Sequence, residues 1–364
     1  MSSKEGHSYA PTSGTTKPVV EKGEFVFAAT HLDHGHIYGQ CNGLIEAGGT
    51  LKWVFDEHPE RLKAFVERYA SHGVKAASSL DEILDDPSVQ MVTSAAIPDL
   101  RGPLGCRVME AGKDYFTDKC PFTTLGQLQQ AREVSARTKR KYMVYYSERV
   151  HVEAAWYVDE LIQAGAIGRV VHMAITGPHR LSQASRPEWF FQKKRYGGIL
   201  TDICSHQFDQ FLHYGRARSG EVLHARVENF AHPDVPELED FGEAVMRLDN
   251  GASCISRVDW FTPKGLQSWG DGRSFFVGTA GVIEIRKYMD FGRTGRSNLI
   301  LLADGEREVE IPCEGKVGFP FFGKLILDCL NRTEDAMTQE HAFLAAELSM
   351  KAQEMADRNK IVTG

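Results

Sequence analysis

From Glu24 to Ser147 the apolar positions fall into short runs separated by stretches of helical period. Strands are predicted at Phe25–Thr30, Leu51–Asp56, Val74–Ala77, Val89–Ala96, Tyr115–Asp118 and Tyr142–Tyr146. Between them, Ile37, Cys41, Leu44 and Ile45 recur at i, i+4, i+7 and i+8, and Leu62, Phe65, Val66 and Tyr69 at i, i+3, i+4 and i+7, so each set shares one helix face. Ser79–Glu82 ("SLDE") and Thr124–Gln127 ("TLGQ") read as capping boxes that open two further helices. Strand and helix alternating over short connections imply a parallel sheet covered on both faces, a doubly wound Rossmann-type domain.

After Ser147 the pattern changes. A helix through "VEAAWYVDELIQAG" leads to a strand at Val170–Thr176, a loop, and a helix near Ser205–Tyr214. Strand-like runs then follow one another, with an Asn-Gly hairpin signal inside Leu248–Ser253, and a closing helix spans about Thr338 to Asn359. Successive strands joined by turns predict an α+β domain with a large, mostly antiparallel open sheet. The expected division is a flexible tail over residues 1–22, a dinucleotide-binding domain over 23–147, and a substrate-binding and oligomerisation domain over 148–364.

Composition narrows the partners. A net charge of −7 over 364 residues lacks the basic face that nucleic acid requires. No apolar run approaches the ~18 residues of a membrane span, so no membrane partner is expected. The seven cysteines are scattered, odd in number and without a C-x-x-C pair, which points to reduced thiols and a cytoplasmic setting.

The loop after the first strand, "THLDHGHIYGQCNG", puts His31, His34 and His36 where a nucleotide-binding protein would carry glycines. A metal site is one reading of so many imidazoles, and "DHGH" mimics the H-x-H of amidohydrolase barrels. A barrel, however, needs eight βα units, and the alternation here stops near Ser147; no metal is expected. The unit from Phe25 to Asp56 has the length of a βαβ dinucleotide fold. A carboxylate at Asp56 can accept both adenosine ribose hydroxyls and repel a 2′-phosphate, which favours NAD over NADP. Gly35, Gly39 and Gly43, spaced by four, suit a helix face lying close to the sheet, while loop amides and the helix N-terminus remain able to hold a pyrophosphate.

Two later segments carry a resemblance. "AGKDYFTDKCPFTT" places Lys119 at the end of the fifth strand, and "YGGILTDICSHQFDQ" has paired glycines followed by Asp202, His206 and Asp209, which on one helix would share a face. With the order of elements, they resemble the E-K-P and G-G-x-x-x-D-x-x-x-H-x-x-D motifs of the glucose–fructose oxidoreductase, inositol dehydrogenase and rhizopine-catabolism (Gfo/Idh/MocA) family. The first departs from its pattern as D-K-C-P, and the glycine fingerprint is missing.

The resemblance implies an NAD(P)-dependent oxidoreductase acting on a secondary hydroxyl of a sugar, polyol or sugar derivative, and a homodimer or homotetramer through the C-terminal sheet. It implies catalytic roles for Lys119, Asp202 and His206, and cofactor contacts from Leu32, His34, Gly35, His36, Ile37, Asp56, Ala96, Ile97, Pro98 and Lys119. Substrate contacts are expected from Asp202 and His206, with Arg149, His179, Trp189 and Tyr196 as further candidates. Hydride removal needs a base and a cation near one oxygen, and a histidine and a lysine supply them. An NAD-dependent glycoside hydrolase and a non-catalytic sensor or scaffold that has lost the cofactor remain open alternatives on the same fold.

Overall fold

The computed structural model describes residues 6, 9–12, 14–293 and 295–360. The chain forms two compact units, one reaching to Tyr145 and including Phe319–Phe343, the other comprising Tyr146–Gly318 and the segment from Leu344.

In the first unit, β1 (Val26–Thr30), β2 (Thr50–Phe55), β3 (Lys75–Ala76), β4 (Met91–Ser94), β5 (Asp114–Asp118) and β6 (Tyr142–Tyr145) form a parallel sheet in the order β3-β2-β1-β4-β5-β6. This is the doubly wound order, with its switch point between β1 and β4. The predicted strands are all present. The third is cut to two residues and the fourth starts later, at Met91. Both capping boxes form: Ser79 Oγ accepts from the Glu82 amide and Thr124 Oγ1 from the Gln127 amide. The return bond in each reaches the residue before the cap, Ser78 or Thr123.

Helix His36–Glu46 lies close to its neighbours because it carries glycine where they approach. A Cβ on Gly43 would stand 2.3 Å from the Phe322 ring, and one on Gly39 2.6 Å from the Tyr145 hydroxyl. Phe322 arrives on helix Pro320–Asn331, and with Phe321 it packs on Phe116. The domain expected over 148–364 is therefore interrupted, since residues 319–343 return to the parallel-sheet unit. Gln339 seals the edge of that sheet by bonding both the amide and the carbonyl of Tyr142.

The expected tail is also tied down near the sheet. Val19 donates to the Ala47 carbonyl at 3.0 Å, and Thr16 Oγ1 accepts from the Phe319 amide at 3.3 Å. Residues 1–5, 7, 8 and 13 of that tail lie outside the described residues.

The second unit is built on eight strands: β7 (Val170–Pro178), β8 (Gly220–Glu228), β9 (Phe241–Leu248), β10 (Ser253–Asp259), β11 (Arg273–Gly278), β12 (Gly281–Arg286), β13 (Leu299–Asp304) and β14 (Glu308–Pro312). Their order is β14-β13-β12-β11-β7-β10-β9-β8, antiparallel except for the β7–β10 pair. The Asn-Gly signal marks the β9–β10 hairpin, where Gly251 takes φ 85°. Burial alternates along β10 and β11: Cys254, Ser256, Ser274 and Phe276 point inward, while Ile255 and Phe275 stay exposed. Among the described residues, no helix is long and apolar enough to cross a membrane.

Candidate active site

The carboxyl ends of β1, β2, β4 and β5 are level, because Thr30 pairs with both Phe55 and Ser94, and Ser94 with Thr117. The loops leaving those ends interlock. His31, at φ 52°, donates its amide to the Phe55 carbonyl and accepts from the Ala95 amide, and the His34 amide returns to the Ala95 carbonyl. The Leu32 amide meets Asp56 Oδ2 at 2.6 Å. Gly35 sits at the N-cap of helix His36–Glu46, and Ile37 is wholly buried in its first turn. Ala96, Ile97 and Pro98 lead from β4 into helix Pro98–Glu110, with Ile97 at its N-cap and Pro98 at its first position.

Within the described residues, the amides of Asp33 and Gly35 have no acceptor. Two donors beside a helix N-terminus suit a pyrophosphate, so the loop fits a dinucleotide without the glycine fingerprint. Asp56 is more enclosed than a bare ribose acceptor would be. It is 5% exposed, accepts from the amides of Leu32 and His58, and pairs with Arg61, which also bridges to Asp33 at 2.9 Å.

The histidines fold inward onto Asp118, the residue before Lys119. His36 Nδ1 is 2.9 Å from Oδ1 and His34 Nδ1 is 3.2 Å from Oδ2. Oδ1 also accepts the Lys119 amide at 2.9 Å, and Oδ2 the Arg101 guanidinium at 3.2 Å. Burial alone would raise the Asp118 carboxyl; His36 and Arg101, with the His34 hydrogen bond, hold it well below the usual range. Burial pushes His34 the other way, well below the ordinary imidazole value despite Asp118. The Nδ1 of His34 that faces the carboxylate also lies 3.4 Å from the His36 amide.

His34, His36 and Asp118 bring possible metal-ligand atoms within 4.8 Å of one another. Asp118 is also engaged by the Arg101 guanidinium and the Lys119 amide, groups that cannot ligate a metal. The chemistry of the cluster is that of a charge hub holding the loop and the start of the Lys119 turn.

Arg101 is the residue that sequence reasoning missed here. It is 1% exposed, and its guanidinium binds the Ala96, Lys119 and Cys120 carbonyls as well as Asp118. It thereby ties the end of β4 to the backbone of Lys119, which is itself buried. An arginine on the inward face of a helix was the available signal.

In the second unit the paired glycines have a clear cause. Gly197 and Gly198 take φ of 89° and 90°, and a Cβ on Gly198 would strike the Gln353 amide at 2.3 Å. Gln353 and Glu239 then bond the amides of Leu200 and Ile199. Asp202 and His206 do not share one helix, contrary to the spacing argument. Helix Ile199–Asp202 ends, a turn follows, and a second helix runs over Ser205–Gly215. The Ser205 hydroxyl bonds the Asp202 carbonyl at the break. Both Asp202 and His206 are buried, and the His206 ring meets Tyr146 edge-on at 6.3 Å.

Two expected substrate contacts take structural roles instead. Arg149 is 2% exposed and makes a bidentate pair with Asp209, both bonds 2.7 Å, which anchors helix Ser205–Gly215. The Tyr196 hydroxyl donates to the Glu237 carbonyl and accepts from the Glu239 amide. His179 bonds the Gly177 carbonyl through Nδ1 and packs between Trp260 and Trp269. Trp189 is half-buried against Phe190. Glu148 and Lys287, both buried and paired at 2.9 Å, had no sequence signal.

Comparison with known proteins covers both units. A family model for an oxidoreductase family with an NAD-binding Rossmann fold matches residues 28–146, and one for a GFO/IDH/MocA C-terminal domain matches 156–284. A crystal structure of a proposed oxidoreductase from Erwinia carotovora atroseptica SCRI1043 is 44% identical, with a TM-score of 0.88 over 92% of this chain and 99% of its own. Levoglucosan dehydrogenase, solved with NADH and levoglucosan, has a similar fold at 17% identity, with a TM-score of 0.76 over 92% of this chain and 98% of its own. The scyllo-inositol 2-dehydrogenase (NAD(+)) of Bacillus subtilis (strain 168) is 26% identical over 56% of this chain and 57% of its own length. The chain spans between 34% and 57% of the length of the curated relatives it matches.

Proposed function

The chain belongs to the Gfo/Idh/MocA oxidoreductase family, and on that premise we propose that it transfers a hydride between NAD and a secondary hydroxyl of a sugar, polyol or sugar derivative. The observation that carries this reading is the family match of both units, with Lys119 at the carboxyl edge of the parallel sheet in one and the Asp202–His206 turn in the other. Relatives that act on xylose, inositol and levoglucosan support the substrate class.

NAD, when bound, supplies the hydride acceptor. The amides of Asp33 and Gly35 and the N-terminus of helix His36–Glu46 would hold its pyrophosphate, with Leu32, Ile37, Ala96, Ile97 and Pro98 alongside, and Asp56 would serve the adenosine ribose. As the carbinol carbon loses its hydride, the hydroxyl proton must leave and the oxygen turns into a carbonyl. His206 takes that proton, the Lys119 ammonium stabilises the negative charge developing on oxygen, and Asp202 orients the histidine or the substrate. His179 and Trp189 are the remaining substrate contacts.

The exposed face of the eight-stranded sheet supports self-association as a homodimer or homotetramer. Ile255, Phe275, Val277 and Val282 are each more than a third exposed, and strand pairing puts Ile255 and Phe275 on either side of Ala174, and Val277 opposite Val282. Such a contiguous apolar patch marks an interaction surface. Assay of a panel of sugars and polyols for NADH formation tests the activity. No substrate-dependent NADH in protein that binds NAD would point to the glycoside hydrolase reading, and no binding of NAD at all to the scaffold reading.

A further inference from the structure

A second buried charge cluster lies in the same unit as His206 and has no part in the mechanism above. Lys287, just beyond β12, is fully buried, and its Nζ donates to Glu148 Oε2 at 2.9 Å. Glu148 lies in helix Ser147–Val150 and is 1% exposed. The same Oε2 accepts the Gln207 side-chain amide at 3.1 Å, and Gln207 directly follows His206. Gly177 makes room for that amide, since a Cβ there would lie 2.8 Å from Gln207 Nε2. Lys287 is pinned by its backbone to Gly272 and Asn298.

A buried ion pair is a costly way to hold a core together, because an apolar pair of equal volume is often as stable. One feature points to a role beyond packing. Glu148 Oε1 and Gln207 Oε1 are both buried without a hydrogen-bond partner among the described residues, so the cluster is not saturated.

We propose that Glu148 and Lys287 are positioning residues for His206: Gln207 fixes the placement of the imidazole, and the two opposed charges set its proton affinity. The inference rests on His206 being the proton acceptor for its catalytic meaning, though not for its electrostatics. Burial alone would raise the Glu148 carboxyl, but the Lys287 ammonium, with His206 and His179, pulls it down to about 2. Glu148 is thus charged wherever a histidine titrates, and it favours the imidazolium that forms when His206 takes a proton. Lys287 opposes it and keeps the base from being protonated too early. The other titratable groups around them are Tyr146, which precedes helix Ser147–Val150 and meets the His206 ring, His179 after β7, and Cys204, two residues before His206.

The test is the imidazole titration of His206 in the full-length protein, followed by NMR and assigned by the signal lost in His206→Gln. Glu148→Gln should lower the midpoint by about one pH unit and Lys287→Met should raise it, the scale of a nearby buried charge. The acid limb of kcat/KM should move in the same directions, while NAD affinity stays unchanged. If Glu148→Gln fails to fold with Lys287 left unpaired, the Glu148→Gln/Lys287→Met double variant removes both charges. Its midpoint should still fall, by less, because Glu148 is the partner of Gln207. An unmoved His206 midpoint in folded single or double variants overturns the inference. A midpoint that moves as stated in a protein whose His206→Ala form keeps full turnover removes the base assignment and leaves the electrostatic pairing standing.

Discussion

Asp118 in the parallel-sheet unit and Glu148 in the other are equally buried carboxylates, the one preceding Lys119 and the other bonded to the neighbour of His206, yet their surroundings differ. Asp118 is engaged on both oxygens, by His36 and the Lys119 amide on one and by Arg101 on the other, with His34 Nδ1 3.2 Å away. Glu148 takes Lys287 and Gln207 on one oxygen and leaves the other without a protein donor among the described residues. A carboxylate engaged on both oxygens holds several loops in one geometry. A half-satisfied one carries a charge that its neighbours still feel. The Lys119 side therefore reads as rigid scaffolding, and the His206 side as tuned electrostatics.

Substitutions at the two proposed reacting groups should give the largest effects. Lys119→Met removes a cation and His206→Ala a base, and turnover should fall by ~10²–10³ and ~10²–10⁴ respectively. Both variants should still bind NAD in a thermal-shift titration. If they act on one oxygen, the double variant should lose less than the sum of the two free energies. Near-normal turnover and an unchanged pH–rate profile in His206→Ala would move the proton-transfer role elsewhere.

Stability should separate the hubs next. Asp118→Asn leaves Arg101 buried beside a neutral amide, so a loss of about 3–5 kcal/mol is expected in urea unfolding. The pH dependence has a definite sign. Asp118 is shifted down in the fold, so its contribution is complete above its unfolded pKa of about 4 and disappears as pH falls through the folded value. His34 is shifted down as well, so stability begins to fall already below pH of about 6.5, its unfolded value. The urea midpoint should decline in two acid windows, and His34→Gln should shrink the upper one, to which His31, also shifted down by burial, contributes the rest. A flat midpoint between neutrality and the carboxylate range would contradict the burial argument. Chelators should leave activity intact, because Asp118 is committed to Arg101 and the Lys119 amide. Activity lost on chelation and restored by zinc or manganese would overturn that.

The two sheets offer another contrast. The parallel sheet buries its central strands β1, β4 and β5 completely, whereas the eight-stranded sheet keeps Ile255 and Phe275 in solvent. Phe275→Glu should lower the mass measured by light scattering without unfolding the protein. An unchanged mass would remove this face as the self-association surface.

Period and turn chemistry made most of this fold readable, because β1, β4, β5 and the capped helices depend on local signals. Helix Pro98–Glu110 was not readable in the same way. Gly102, Pro103 and Gly105 argue against a helix by propensity, but a Cβ on Gly105 would lie 2.3 Å from Tyr142, so close packing outweighs propensity. The return of Phe321 and Phe322 to the first unit is a non-local contact with no local signature. In the site, Lys119, Asp202 and His206 were marked by motif, whereas Arg101, Glu148 and Lys287 were not. Their roles come from what burial places beside them. Arg149 and Tyr196 misled for the same reason, since their polar ends close on Asp209 and on residues 237–239.

The smallest effect concerns Arg61, which sits over the proposed ribose acceptor. It lies 3.0 Å from Asp56 and 2.9 Å from Asp33, with its side chain 36% exposed. Pairs at that exposure contribute about 0–1 kcal/mol, so Arg61→Ala should hardly change the unliganded melting temperature. Its consequence is for cofactor choice. Asp56 favours hydroxyls and repels a 2′-phosphate, while Arg61 attracts one and partly cancels that repulsion. Wild-type protein should be stabilised more by NAD(H) than by NADP(H), by RT ln(1 + [L]/Kd), about 2.7 kcal/mol at a hundredfold excess over Kd. Arg61→Ala should widen the gap a few-fold by weakening NADP(H) alone. Equal or greater stabilisation of the wild type by NADP(H) would show that Arg61, rather than Asp56, governs the adenosine end.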